Sequence, residues 1–290
     1  MSKPVNTKTP VTRPVRFPGL RRALAERQVR VGLFITLTVV ALALFGPFFS
    51  PHLHSNLVGP VYGGPAPGAP LGYDYIGHDM LSRVLSGGWS VVWMSLTVSI
   101  IALALGAILG MAAGYSRGWL DQFIVWWTDV FHAFPNLILI LLVVSMLGRQ
   151  PWLIVLTAAV AFVPGVIRLV RGLTIGVVNQ EFVEACEMAG IPRRQVLLRE
   201  VLPNILTPLL VHLGTMLSWA VGVLSGLAFL GYGIAPPAAD WGLMINENRP
   251  GLQIQPWALF VPMLMLVLFA LGTNLLAEGV GRVTARIEEK

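Results

Sequence analysis

Lysine is scarce in this chain, occurring at positions 3, 8 and 290 alone, and none of the three follows a glycine-rich loop. A phosphate loop of the form G-x-x-x-x-G-K-[ST] is therefore missing, and with it that route to ATP hydrolysis. A single cysteine, Cys186, excludes an internal disulfide. Neither H-E-x-x-H nor G-x-S-x-G occurs, and the five histidines (His52, His54, His78, His132 and His212) are scattered. This disfavours a membrane hydrolase and leaves no catalytic residues and no metal site to name. Charged residues make up only 12% of the chain, about half the share of a soluble domain.

What fills the space is hydrocarbon. Hydrophobic residues make up 55% of the 290 positions, and the mean hydropathy is +0.73. Continuous apolar runs, without period-2 alternation, select helices over a barrel as the way to satisfy backbone groups in lipid. Six segments emerge, at about 31–49, 91–115, 134–148, 152–171, 205–231 and 256–278. The reading is an all-α integral membrane protein of about six transmembrane helices.

Basic residues orient it. Eight of the 20 Lys and Arg residues lie between Lys3 and Arg30, and the loops near 50–90, 149–151 and 232–255 hold only Arg83, Arg149 and Arg249. The positive-inside rule then predicts that both chain ends are cytoplasmic. It accounts for the net charge of +6 without a nucleic-acid partner. The segment 31–49 is longer than a signal-peptide core and has no A-x-A-like site after it, so it reads as a retained first span. The division is a basic segment 1–30, a membrane domain 31–285 containing a cytoplasmic loop at 172–204, and a tail 286–290.

The loop of residues 50–83 is rich in Gly and Pro and long for a connector. Its Tyr73, Asp74, His78 and Asp79 suit a docking surface. Gly106, Gly110 and Gly114 share one helical face, as do Gly222 and Gly226, a pattern that serves close packing or lines a moving path. Ionisable groups, which an ion-coupled carrier would need within its spans, are few: Asp129, His132, His212 and Glu278. In the fifth span, His212, Ser218 and Trp219 are candidates to line a translocation path.

One polar stretch stands apart: "FVEACEMAGIPRRQVLLREVLPN", residues 182–204. Phe182, Ala185, Met188 and Ala189 follow helical spacing opposite Glu181, Glu184 and Glu187. Gly190 suits a helix stop and Pro192 the first turn of a second helix. That helix carries Arg193, Arg194 and Arg199 beside Val196, Leu197 and Leu198, and Pro203 marks the boundary before the fifth span. The pattern predicts a helix, a sharp turn and a short helix presenting an apolar and basic knob.

The stretch resembles the EAA loop of ABC importer permeases. Glu184, Ala185 and Cys186 precede Gly190 at the family spacing, and Leu202-Pro203 closes it, with Cys186 and Glu200 departing from the usual residues. "APLGYDYIGHDMLSRVLSGGWSVVWMSL", "GYSRGWLDQFIVWWTDVFHAFPNLIL", "LAFLGYGIAPPAADWGLMI" and "NLLAEGVGR" are similar to segments of the oligopeptide, dipeptide and nickel branch, second permease subunit type.

The resemblance implies a non-catalytic subunit in a bacterial-type inner membrane. Its partners would be a homologous second permease, two cytosolic ATPases that bind the ATP and Mg, and an extracytoplasmic solute-binding protein. Glu184, Ala185 and Gly190 would form the bend, and Ile191, Pro192, Arg193, Arg194, Val196, Leu197 and Leu198 a knob seated on an ATPase. Short peptides are the expected cargo, with nickel chelates, glutathione, opines or oligosaccharides as alternatives. A stand-alone ion-coupled carrier is the more remote rival.

Overall fold

A computed structural model describes residues 24–116 and 118–288. Residues 1–23 of the basic segment and the last two of the tail lie outside it. Eleven helices carry the described chain, and five are long and apolar enough to cross a membrane. Helix α1 (Arg27–Phe45) ends in a 3-10 turn, Gly46–Phe49; short α2 (Met80–Ser86) precedes α3 (Gly88–Ser116). Then come α4 (Trp119–His132), α5 (Asn136–Leu147) and α6 (Pro151–Val178). Beyond the insert lie α9 (Leu202–Phe229), α10 (Trp241–Asn248) and α11 (Trp257–Glu288), with α7 and α8 in the insert itself.

The third expected span is where the structure departs from the apolar pattern. α5 has 12 residues, about 18 Å of helix against the roughly 30 Å of a hydrocarbon core. It meets α4 at an angle of 78°. Pro135 causes the break: a residue before proline avoids the helical region, so the chain turns at Phe134-Pro135. In place of a sixth straight span stands a bent pair, with α4 held to α6 by Asp121–Arg171 at 2.5 Å and Asp129–Arg168 at 2.6 Å.

Two helices set the frame. Along α3, a Cβ added at Gly106, Gly110 or Gly114 would lie 2.4, 2.7 or 2.8 Å from the Cβ of Val166, Val170 or Thr174 of α6. Both series advance by four residues, so each glycine receives one branched side chain and the backbones close together. Gly222 and Gly226 behave differently: an added Cβ meets nothing within 4 Å at the first and only Leu137 at 3.6 Å at the second. The two glycine patterns separate into a packed seam and an open face.

The long loop after α1 is no docking surface of charged groups. Asp74, His78, Asp79 and Arg83 are all buried, as is Tyr73. Asp74 accepts the backbone N–H groups of Ile76, Gly77 and His78 through Oδ1 and faces Arg83 at 2.6 Å and His78 at 2.8 Å through Oδ2. Arg83 continues to Glu247 of α10 at 2.9 Å, and the Tyr75 hydroxyl donates to the same carboxylate at 3.0 Å. Gly77 has φ +98°, and a Cβ there would lie 2.2 Å from the Gly59 carbonyl oxygen. Asp79 caps α2 and accepts from the Ser82 hydroxyl.

The segment after α9 receives this loop. Gln255 donates to the carbonyls of Gly63 and Leu71 at 3.2 and 3.0 Å. Asp240 caps α10 and accepts from the Ser90 hydroxyl at 2.6 Å, while the Trp241 indole donates to the Val84 carbonyl at 2.8 Å. Loop and segment thus form one cap over the ends of α1, α3 and α11. Burial raises both carboxyls, and their partners drive them apart. Asp240 is pushed up by desolvation. Asp74 is also raised by burial, but the Arg83 guanidinium, the Ile76 N–H and His78 hold it below its ordinary value.

Gly110→Val forces a branched side chain into the seam and should cost about 1–3 kcal/mol, lowering the melting temperature of the detergent-purified protein. Gly222→Ala, which meets nothing, should not lower it and gains up to about 1 kcal/mol of helix preference. Arg83→Met strips the partner from two buried carboxylates at a cost of about 3–5 kcal/mol, so hydrogen exchange over residues 56–79 should rise. In the wild type, a lowered Asp74 contributes stability that is fully present above the ordinary carboxylate pKa of about 3.9. That contribution is lost as pH falls through the depressed folded value, so the same amides should open only in acid.

Candidate functional site: the polar insert between the fourth and fifth spans

Helix α7 (Glu181–Met188) opens with Glu181 and Glu184 in its first turn, where the helix dipole favours negative charge. Its end is set by Gly190, at φ +76°. The Gly190 N–H donates to the Glu187 carbonyl at 3.0 Å and the Ile191 N–H to the Cys186 carbonyl at 3.1 Å. This pair of bonds is a Schellman turn, closed by the partly buried Ile191 and Cys186. An added Cβ at Gly190 meets nothing within 4 Å. The glycine is required for its backbone, not for space.

Pro192 caps α8 (Arg193–Val196) with extended backbone. From there the chain does not pause before the fifth span. A π-helical turn, Leu197–Val201, joins α8 to α9, and Arg193–Phe229 is one continuous helix of 37 residues. Pro203 is therefore not a boundary. It sits in the first turn of α9, just after a widened turn in which the Leu202 N–H reaches back to the Leu197 carbonyl. A π turn already displaces the i→i−4 ladder, so the missing proline N–H costs little there. The Asn204 amide donates to the Glu200 carbonyl at 2.6 Å and satisfies it.

The insert's packed face differs from the expected one. Val183, at 1% exposure, turns inward with the partly buried Phe182 and Cys186, whereas Ala185 and Ala189 are exposed and Met188 is 78% exposed. Val196 is fully buried with Val201, so it anchors the second helix and contributes nothing to an outer knob. Glu184, Ala185, Gly190, Pro192, Arg193, Arg194, Leu198 and Pro203 are exposed, and Ile191 and Leu197 are partly so. The surface that results is basic at Arg193, Arg194 and Arg199 and apolar at Met188 and Leu198.

On α9, Ser218 and Trp219 border an open apolar groove of about 430 Å³ with Leu137, Gly222, Val223 and Gly226. Trp219 is 71% exposed. The Ser218 hydroxyl, however, is engaged with α11, at 3.0 Å from the Ala270 carbonyl and 2.7 Å from the Thr273 hydroxyl. His212 lies nearer the start of α9, is partly buried, and does not line this groove. The acids that a carrier would need are paired: Asp129 with Arg168, and Glu278 with Asn274 at 3.2 Å and Arg282 at 3.7 Å. Among the described residues no cluster of His, Cys, Asp or Glu is arranged to hold a metal.

Several contacts were invisible in the sequence. Tyr115, at the end of α3, donates to Glu187 of the insert, and Glu247 and Gln255 reach the outer loop across more than 160 positions. The one local signal was the N-cap Asp240 before "WGLMINEN", which marks α10.

The described residues form a polytopic helical bundle with a polar insert between two of its long apolar helices. Residues 106–286 match the family described as binding-protein-dependent transport system inner membrane component. The chain belongs to this family and is a transmembrane permease component. It is 32% identical over 261 residues to the dipeptide transport system permease protein DppC of Haemophilus influenzae, covering 88% of each chain. It is 31% identical over 262 residues to the glutathione transport system permease protein GsiD of Pectobacterium atrosepticum, covering 89% of this chain and 87% of that one. To GsiD of Escherichia coli it is 33% identical over 265 residues, covering 89% and 86%.

Proposed function

We propose that this chain pairs with a homologous second permease to form the path of an ATP-driven importer for short peptides. Two cytosolic ATPases supply the energy, binding ATP and Mg themselves, and an extracytoplasmic binding protein delivers the cargo. Both chain ends then face the cytoplasm. The observation that carries this reading is the continuous helix Arg193–Phe229, which begins in an exposed basic and apolar knob and ends in the outer half of the fifth span. A push on Arg193, Arg194, Leu198 and Arg199 is delivered along α9 to the groove at Trp219 and Gly222.

Coupling needs an element whose position both sites bias. The bend at Glu184, Ala185 and Gly190 fixes the knob's direction, and buried Val183, Val196 and Val201 hold it to the helix bundle. Pro192 and Pro203 bracket the segment, and Ile191 and Leu197 pack beneath it. The groove bordered by Ser218 and Trp219 forms part of the path, with His212 nearer the cytoplasmic mouth. Peptide cargo follows from the dipeptide relative. Glutathione, itself a tripeptide, is a second reading favoured by the two GsiD relatives.

Purification of the tagged chain from its own membranes should bring an ATPase subunit and a second permease with it, identified by mass spectrometry. In vesicles holding the full importer, uptake of a labelled dipeptide and of labelled glutathione decides the cargo. Gly190→Val imposes about 1–2 kcal/mol of backbone strain and should cut uptake roughly tenfold while ATP hydrolysis continues. Normal uptake in that variant overturns the lever. Transport by this chain alone would instead favour the ion-coupled carrier.

A further inference from the structure

Besides its chain connections to α6 and α9, the insert is joined to the helix bundle by a side chain of α3. Tyr115, in the last turn of α3, places its hydroxyl 2.5 Å from Oε1 of Glu187, one residue before the end of α7. The Arg193 guanidinium lies over the same ring, 6.0 Å from its centroid. One side chain of α3 therefore touches both arms of the turn, three residues before Gly190 and three after it. The ring also packs against the buried cluster that holds Val183, Val196 and Val201.

We propose that Tyr115 is a positioning residue that couples the insert to the α3–α6 pair, so that movement of the knob is divided between two outputs. The first is α9, by direct continuity. The second runs through Tyr115 into α3, which cannot slide against α6 because Gly106, Gly110 and Gly114 are each occupied by a side chain of that helix. A displacement of the turn must carry α3 with it or break the Tyr115–Glu187 bond. Glu187, exposed like Glu184, differs from it in accepting the Tyr115 hydroxyl.

This inference rests on the coupling-loop reading, and the test separates the two. The complete importer is reconstituted in vesicles, and the readout is labelled dipeptide taken up per ATP hydrolysed. The wild type is compared with Tyr115→Phe, Glu187→Ala, the double variant, Glu187→Gln and Gly190→Val. Tyr115→Phe keeps the ring and loses only the hydroxyl. It should lower the ratio about threefold at unchanged membrane abundance, Glu187→Ala should do the same, and the double variant should be no worse than either. Glu187→Gln, which keeps an acceptor oxygen, should restore most of the ratio.

A purely structural role predicts that uptake and hydrolysis fall together with abundance while the ratio holds, and that result overturns the proposal. A normal ratio in Tyr115→Phe beside a collapsed one in Gly190→Val removes the brace and leaves the lever. A normal ratio in Gly190→Val removes both.

Discussion

The seam between α3 and α6 is the contact on which the rest of the molecule depends. In lipid there is no hydrophobic drive to bring helices together, so association rests on close packing of small residues against shaped partners. Three glycines meeting Val166, Val170 and Thr174 in register provide it. Because the register repeats at four residues, a slip of one residue would set every branched side chain against backbone. The pair is therefore a fixed reference. At its first turn α3 carries Ser90 on Asp240 and Gly88 against the Trp241 ring, and at its last turn Tyr115 on Glu187.

Charge is placed according to what surrounds it. In the outer cap, Arg83 is 1% exposed between Asp74 at 0% and Glu247 at 8%, a fully desolvated triad in which each group depends on the others. Loss of one member there leaves an uncompensated buried charge. The Arg168–Asp129 pair is more than half exposed, and screening leaves such a pair worth about 0–1 kcal/mol. The cap is thus held by desolvated charges, whereas α4 is tied to α6 by this exposed pair together with the less exposed, doubly bonded Asp121–Arg171.

Legibility in the sequence followed the range of the interaction. Apolar runs and the punctuation of Gly190 and Pro192 are local, and they placed five spans and the turn. Pro135 is equally local, but an unbroken apolar run after it hid the shortness of α5. In α7, eight residues give little more than two turns, too few to fix the phase of an apolar stripe. Hence Ala185, Met188 and Ala189 seemed the packed face, where Phe182, Val183 and Cys186 are. The outer-loop charges were read as a surface because Asp74 and Glu247 lie 173 positions apart, joined only through Arg83.

The π turn at Leu197–Val201 bears on how the insert works. A short helix joined by a flexible linker would absorb displacement, whereas an unbroken α-helix with Pro203 inside it would kink where the proline ring meets the preceding turn. The widened turn avoids both. It keeps the helix from Arg193 to Phe229 continuous past Pro203, and the Asn204 side-chain amide donates to the Glu200 carbonyl within the same turn.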